Sequence, residues 1–208
     1  MNLPISNHAA APKRLLCARC QRPQSACICR WITPVANRVP VLILQHPLEA
    51  GQAKNSAGLL HLSLADSRIE IGERFDQQHL RALLGPGSVL LYPADAADPH
   101  APASPSAAPW QLVVLDATWR KSRKMLHQNP LLRQLPRLAL AAPPPSHYHR
   151  IRRAHAPHQL ATLEAVCQAL PALEGDAVQP ACDALLHAFD GFVAQQLGYR
   201  PDASERSS

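Results

Sequence analysis

The chain has 208 residues, 47% of them hydrophobic, enough for one well-buried domain and a small appendage. Lys and Arg number 21 against 15 Asp and Glu, and the resulting net charge of +6 favours an anionic partner such as nucleic acid. No stretch approaches the ~20 apolar residues of a membrane span, and the opening "MNLPISNHAAAPKRLL" lacks the basic start and apolar run of a secretory signal, so a cytoplasmic protein with reduced thiols is expected.

Residues 1–13 read as disordered, and a zinc-binding segment is expected over 14–32. Its core, "CARCQRPQSACIC", places Cys17, Cys20, Cys27 and Cys29 in the pattern C-x2-C-x6-C-x-C. Two close pairs joined by a polar, turn-forming loop suit four thiolates on one tetrahedral ion. Zinc would hold such a short segment folded. With four cysteine ligands no coordination position stays open, so the ion would be structural. The alternative is four unrelated reduced cysteines. A redox pair at Cys17 and Cys20 lacks the strand that should precede it. Arg14, Arg19, Arg22 and Arg30 around the clamp read as an RNA-gripping surface or as ordinary solvated charge.

A single domain is expected over 37–198, followed by a polar tail over 199–208. "VPVLILQH" (39–46) is a continuous apolar, β-rich run and predicts a buried strand. "GQAKNSAGLLHLSLAD" predicts a helix after a glycine-bearing loop, and "SRIEIGERF" a short strand. "DQQHLRALL" has a helical pattern with Asp76 as N-cap, stopped by "GPG". "SVLLYP" (88–93) is another buried strand. The Pro/Ala/Ser-rich run at 94–109 predicts a surface loop. "WQLVVLD" (110–116) is the strongest strand, "TWRKSRKMLHQN" a basic helix, and "LPRLALAA" (135–142) a last strand. Helices over 158–170 and 180–197 close the chain, with Cys167 and Cys182 as packing residues. Strands apolar on both faces and alternating with helices predict an α/β fold with a mostly parallel sheet covered on both faces.

Ligands of such sheets gather beyond the carboxyl ends of the strands. That rule selects "QHPLE", "YPAD" and "DATW". Asp116 ends a buried strand, where an acid is costly unless it binds something. It is a candidate catalytic base or hydrogen-bond acceptor; the plainer alternative is a helix cap beside a packed Trp119. Thr118 would cap the helix and Trp119 would stack on a planar ring. Arg120, Lys121 and Lys124 follow on the basic helix, and Arg150, Arg152 and Arg153 lie in an extended run; all six are candidate phosphate contacts. Thr162 and Glu164 sit two apart on the next helix, so one of the pair is expected to face a ligand. The histidines at 147, 149, 155 and 158 are irregularly spaced and read as loop residues. No Walker A, G-x-G-x-x-G or HExxH pattern occurs, which argues against common NTPase, dinucleotide and zinc-protease chemistry.

The ordered series of the cysteine cluster, "QHPLE" with Ser56, "LLYPAD", "LDATW", "YHRIRR" and "QLATLEA" resembles the DTW-domain family across about residues 14–195. The resemblance implies a tRNA-uridine aminocarboxypropyltransferase of bacterial type. Such enzymes move the 3-amino-3-carboxypropyl group of S-adenosylmethionine to a uridine ring nitrogen and release methylthioadenosine. It also implies a fold similar to the knotted SPOUT methyltransferases, with tRNA as partner and no obligate protein partner. Ser56, Pro93, Asp116, Thr118, Trp119, Thr162 and Glu164 would then bind the donor, and Asp116 would serve the chemistry. Two alternatives stand beside this reading: an S-adenosylmethionine-dependent RNA methyltransferase, and a non-catalytic zinc-containing RNA-binding module.

Overall fold

The computed structural model describes residues 15–93, 111–140 and 160–199. Five strands form one parallel sheet: β1 (Val41–Gln45), β2 (Ser67–Ile71), β3 (Ser88–Leu91), β4 (Gln111–Asp116) and β5 (Arg137–Leu138). Their spatial order is β2-β1-β4-β3-β5, and every pairing is parallel. β1 and β4 run side by side from Val41 opposite Leu112 to Gln45 opposite Asp116. All five residues of β1 are buried, as a central strand covered on both faces requires.

The pleat sends alternate side chains to two separate cores. Val41, Ile43, Val89, Leu112 and Val114 pack with α1 (Ala57–Ser63), α5 (Thr162–Glu174) and α6 (Gln179–Gly198). Leu42, Leu44, Leu90 and Val113 pack on the opposite face with α2 (Gln77–Leu83), α3 (Trp119–Gln128) and α4 (Pro130–Arg133). Cys167 and Cys182 belong to the first core, at 1% and 0% exposure, as their apolar helical contexts predict.

Several element boundaries differ from the sequence expectation. α1 begins only at Ala57, because Gly51, at φ +77°, opens a run of turns and Asn55 Oδ1 then accepts from the Ala57 N–H at 2.9 Å. The last strand shrinks to Arg137–Leu138, which pair with Leu90 and Leu91 of β3. α5 runs through Pro171, whose missing N–H and ring crowding are opposed by Leu170 and Leu173, which keep the final turn on the core. α4 was not expected from the pattern; Pro130 at its first turn starts it after the break at Asn129. The α2 cap is as predicted, with Asp76 accepting from the His79 N–H at 2.9 Å. The expected loop at 94–109 lies outside the described residues.

The cysteine segment folds as two short 3-10 turns, Gln24–Ala26 and Cys29–Trp31, seated on α6. Gln195 accepts from the Trp31 indole N–H and donates to the Cys27 carbonyl, and the Tyr199 hydroxyl donates to the Ser25 carbonyl at 2.6 Å. Gly191 lies directly beneath the Trp31 ring, where any Cβ would overlap the indole. Ile28, only 1% exposed, plugs the segment into the first core.

Candidate active site

The sheet order sets where a site can form. Chain connections leave β1 toward β2 on one side and β4 toward β5 on the other, so the crevice at the carboxyl ends of β1 and β4 is a topological switch point. Asp116 stands there, 4% exposed. Its Oδ2 accepts from Gln45 Nε2 at 2.8 Å and from Asn55 Nδ2 at 2.6 Å, and its Oδ1 accepts from the Thr162 hydroxyl at 2.6 Å. Four segments of the fold, the end of β1, the turn before α1, the end of β4 and the start of α5, thus meet on one carboxylate. Three neutral donors compensate its burial.

Beside this node lies a cavity of about 470 Å³, within the range of small-molecule sites. Leu91, Pro93, Leu115, Ala117, Leu138 and Leu140 give it apolar walls, and Thr162 contributes a hydroxyl. The Asp116 side chain does not line it; Thr162 lines it and hydrogen-bonds Asp116 from behind. Trp119 forms the rim and is 42% exposed. Its ring stacks on Tyr92 at 5.0 Å and 9°, and the guanidinium of Arg137, on β5, lies 5.0 Å from the Tyr92 ring. Tyr92 is further fixed by its hydroxyl, 3.3 Å from Ser122 Oγ.

Of the predicted site residues, Pro93, Trp119 and Thr162 line this cavity. Thr118 occupies the N-cap position of α3, where its carbonyl accepts from the Ser122 N–H, yet its side chain makes no capping bond. Ser56 is buried at the start of α1, next to Asn55, and is not among the cavity residues. Glu164 turns back on its own helix and accepts from the Ala161 N–H at 2.7 Å. Thr162 and Glu164 therefore point different ways, Thr162 into the cavity and Glu164 back onto its helix, because an offset of two puts the side chains on different faces. Arg150, Arg152 and Arg153 lie outside the described residues.

The basic helix α3 divides its cations. Lys121 Nζ is 2.9 Å from the buried carboxylate of Glu49, and Lys124 lies 3.0 Å from Glu73. His46 Nε2 joins Glu73 at 3.1 Å, and its Nδ1 accepts from the Leu48 N–H, so the ring proton sits on Nε2. The Lys124 ammonium first, then the His46 imidazole, hold the Glu73 carboxyl below its usual range. These pairs fasten α3, and with it Trp119, to the loops after β1 and β2. Arg120 is exposed on the same helix.

Cys17, Cys20, Cys27 and Cys29 bring their four sulfurs within 4.8 Å of one another. Cys17 and Cys29 are 3.6 Å apart and Cys20 and Cys27 3.8 Å, against an edge of about 3.8 Å for a tetrahedron of sulfurs around zinc. Backbone amides of Cys20 and Arg19, then the Cys29 thiol, pull Cys17 down to about 6, whereas burial and its three neighbours push Cys29 up to about 12. The thiols compete for negative charge, and a dication at their centre removes that conflict. The four sulfurs are close enough together that they could hold one metal ion.

Gln45, Asn55, Tyr92 and Arg137 are the site residues that sequence reasoning did not single out. Asn55 carried a signal, an Asn after a glycine turn and just before a helix, which is a capping pattern. Gln45 and Tyr92 open the strand-end stretches "QHPLE" and "YPAD" without being picked out within them, and Arg137 carried no signal.

A model of the DTW domain matches residues 14–197. The chain is 32% identical over 171 residues to tRNA-uridine aminocarboxypropyltransferase 2 of Drosophila melanogaster, a match covering 78% of this chain and 68% of that protein. It is 30% identical over 186 residues to the Mus musculus protein of the same name, covering 83% and 60%. A match to tRNA-uridine aminocarboxypropyltransferase A of Arabidopsis thaliana is 25% identical over 134 residues, covering 55% and 51%. The chain therefore spans between about half and two thirds of the length of these curated relatives. No solved structure matches it. A domain match over nearly the whole described chain, and relatives that are transferases by name, place this protein in the DTW-domain family.

Proposed function

We propose that the protein transfers the 3-amino-3-carboxypropyl group of S-adenosylmethionine to a ring nitrogen of a uridine in tRNA. The observation that carries this reading is the cavity at the carboxyl ends of β3, β4 and β5, lined by Ala117 and Trp119 of the Asp-Ala-Thr-Trp run and by Thr162, which hydrogen-bonds Asp116 behind it. The donor supplies a sulfonium with three electrophilic carbons, and the carbon facing the nucleophile is the one that reacts. Apolar walls from Leu91, Pro93, Leu138 and Leu140 suit enclosure of the methyl and adenosyl parts. Trp119, half-exposed and held flat by Tyr92, offers a face for a planar base brought out of its stack.

Asp116 acts through Thr162 in this proposal. The imide proton of the uridine passes to Thr162 Oγ as the Thr162 hydroxyl hydrogen passes to Asp116 Oδ1. The freed nitrogen forms the new N–C bond, and the C–S bond breaks with its electrons going to sulfur. The relay is favoured over a direct salt link to the donor ammonium because Asp116 meets three neutral donors and lies behind Thr162. Arg120, Arg150, Arg152 and Arg153 would carry phosphate contacts. Lys121 and Lys124, paired with Glu49 and Glu73, would set the angle of α3 first and meet phosphate second. Zinc held by Cys17, Cys20, Cys27 and Cys29 would fix the segment that covers α6. A cytoplasmic setting fits thiols kept reduced for that ion. A SPOUT-like threading fits the all-parallel sheet with its cavity at one end.

The test is mass spectrometry of tRNA incubated with the purified protein and S-adenosylmethionine. An aminocarboxypropyl adduct with methylthioadenosine release is expected. A methyl gain with S-adenosylhomocysteine would replace the reading with a methyltransferase, and binding of tRNA without either product with an RNA-binding module.

A further inference from the structure

Arg22 stands between the two cysteine pairs, and its backbone is part of the clamp. Its carbonyl accepts from the Cys17 N–H at 2.7 Å, and its own N–H is directed at the Cys20 sulfur. Its side chain leaves the clamp altogether. Nη1 donates to the Ala53 carbonyl at 2.6 Å and Nη2 to the Asn55 carbonyl at 3.1 Å, while the guanidinium lies 5.6 Å from the Phe192 ring of α6. The Asn55 side chain in turn donates to Asp116 Oδ2 at 2.6 Å and accepts from the Ala57 and Gly58 N–H groups. Two residues, Arg22 and Asn55, connect a clamp sulfur to the buried carboxylate.

The physical need for that link lies in the turn it grips. Gly51, Gln52 and Ala53 are exposed, so little apolar burial fixes this stretch. Its placement rests on polar contacts: turn hydrogen bonds back to His46 and Glu49 at one end, and Arg22 at the other. A planar guanidinium spans two carbonyls at once, which a lysine ammonium cannot match in geometry. Without an ion, the backbone of residues 17–29 loses the crosslink that fixes the base of the Arg22 side chain.

We propose that Arg22 is a positioning residue that ties the alignment of Asn55 and Asp116 to metal occupancy of the cysteine clamp. Its consequence for turnover rests on the role given to Asp116 above; the link itself does not. The experiment is site-resolved hydrogen exchange on the full-length protein, wild type and Arg22→Gln, with metal content measured on the same samples. Arg22→Gln is expected to keep its metal and the protection of the Trp31 and Ile32 amides. The Ala57 and Gly58 amides should exchange about tenfold faster or more. Chelating the metal from the wild type should accelerate the same two amides, and chelation of Arg22→Gln should add little there. In steady-state assays kcat should fall with little change in the donor KM. Arg22→Lys, which keeps its stem over Phe192 and reaches one carbonyl, should lie between, and it replaces the Gln variant if that one does not fold. Unchanged Ala57 and Gly58 exchange in both variants, or an equal further acceleration when Arg22→Gln is chelated, would overturn the proposal. Accelerated exchange with wild-type turnover would support the link and remove Asp116 from the reaction instead.

Discussion

Replacing Asp116 separates its charge from its place in the fold. In Asp116→Ala, the donors Gln45 Nε2, Asn55 Nδ2 and Thr162 Oγ1 lose their shared acceptor in a site that is 4% exposed. Gln45 keeps a second acceptor, Asn55 Oδ1 at 3.2 Å, and the Thr162 hydroxyl can turn to the cavity it lines, so Asn55 Nδ2 alone is orphaned outright. At about 1–3 kcal/mol for that donor and about 1 kcal/mol for each of the two other bonds lost, the loss is about 3–5 kcal/mol, a drop in melting temperature on the order of 10 °C for a chain of this size. Asp116→Asn behaves differently. Its amide oxygen can take the Oδ2 position and accept from Gln45 and Asn55, while its N–H group donates to Thr162, whose hydroxyl rotates to accept. Three bonds survive without charge assistance, at a cost of about 1–2 kcal/mol. The amide cannot take up a proton, so turnover should fall by about a hundredfold or more. Thermal unfolding followed by circular dichroism gives the first quantity, and single-turnover mass spectrometry of tRNA gives the second. An Asn variant that melts with the Ala variant would refute the hydrogen-bond accounting, and one that turns over at the wild-type rate would refute the proton-transfer role.

Lys121→Met should destabilise the protein by about 2–3 kcal/mol in urea unfolding, because it strips the ammonium from a carboxylate whose side chain is 3% exposed. It should leave the salt dependence of tRNA binding nearly unchanged, whereas Arg120→Ala should reduce the salt slope by about one. Glu73 has its folded pKa lowered from 4.5, so the stability it contributes is complete above that value and is lost as pH falls through the lower folded one. Lys124→Met should therefore weaken the fall in urea midpoint as pH drops below about 4.5. Gly191→Ala should lift Trp31 off α6 at a cost of about 1–3 kcal/mol, read from the unfolding midpoint and from a shift in tryptophan emission.

The order of elements was legible in the chain because apolar runs such as "VLIL" and "LVVL" can be satisfied only as strands buried on both faces. The cysteine spacing carried the grouping of the four sulfurs for a similar reason, since four thiols within thirteen residues need no distant partner. Asp116 was conspicuous as an acid at the end of such a strand. Sequence alone did not reveal what surrounds it. Gln45, Asn55 and Thr162 lie 71, 61 and 46 residues away and meet the carboxylate only because β1 and β4 pair in register and α5 returns over their ends. The same holds for the cations of α3. Local reading saw a run of positive charge, but Lys121 and Lys124 find Glu49 and Glu73 across 72 and 51 residues. Periodicity reports which face of an element is buried. Which polar groups meet at its ends is decided by strand order and register, and these exist only once the chain has folded.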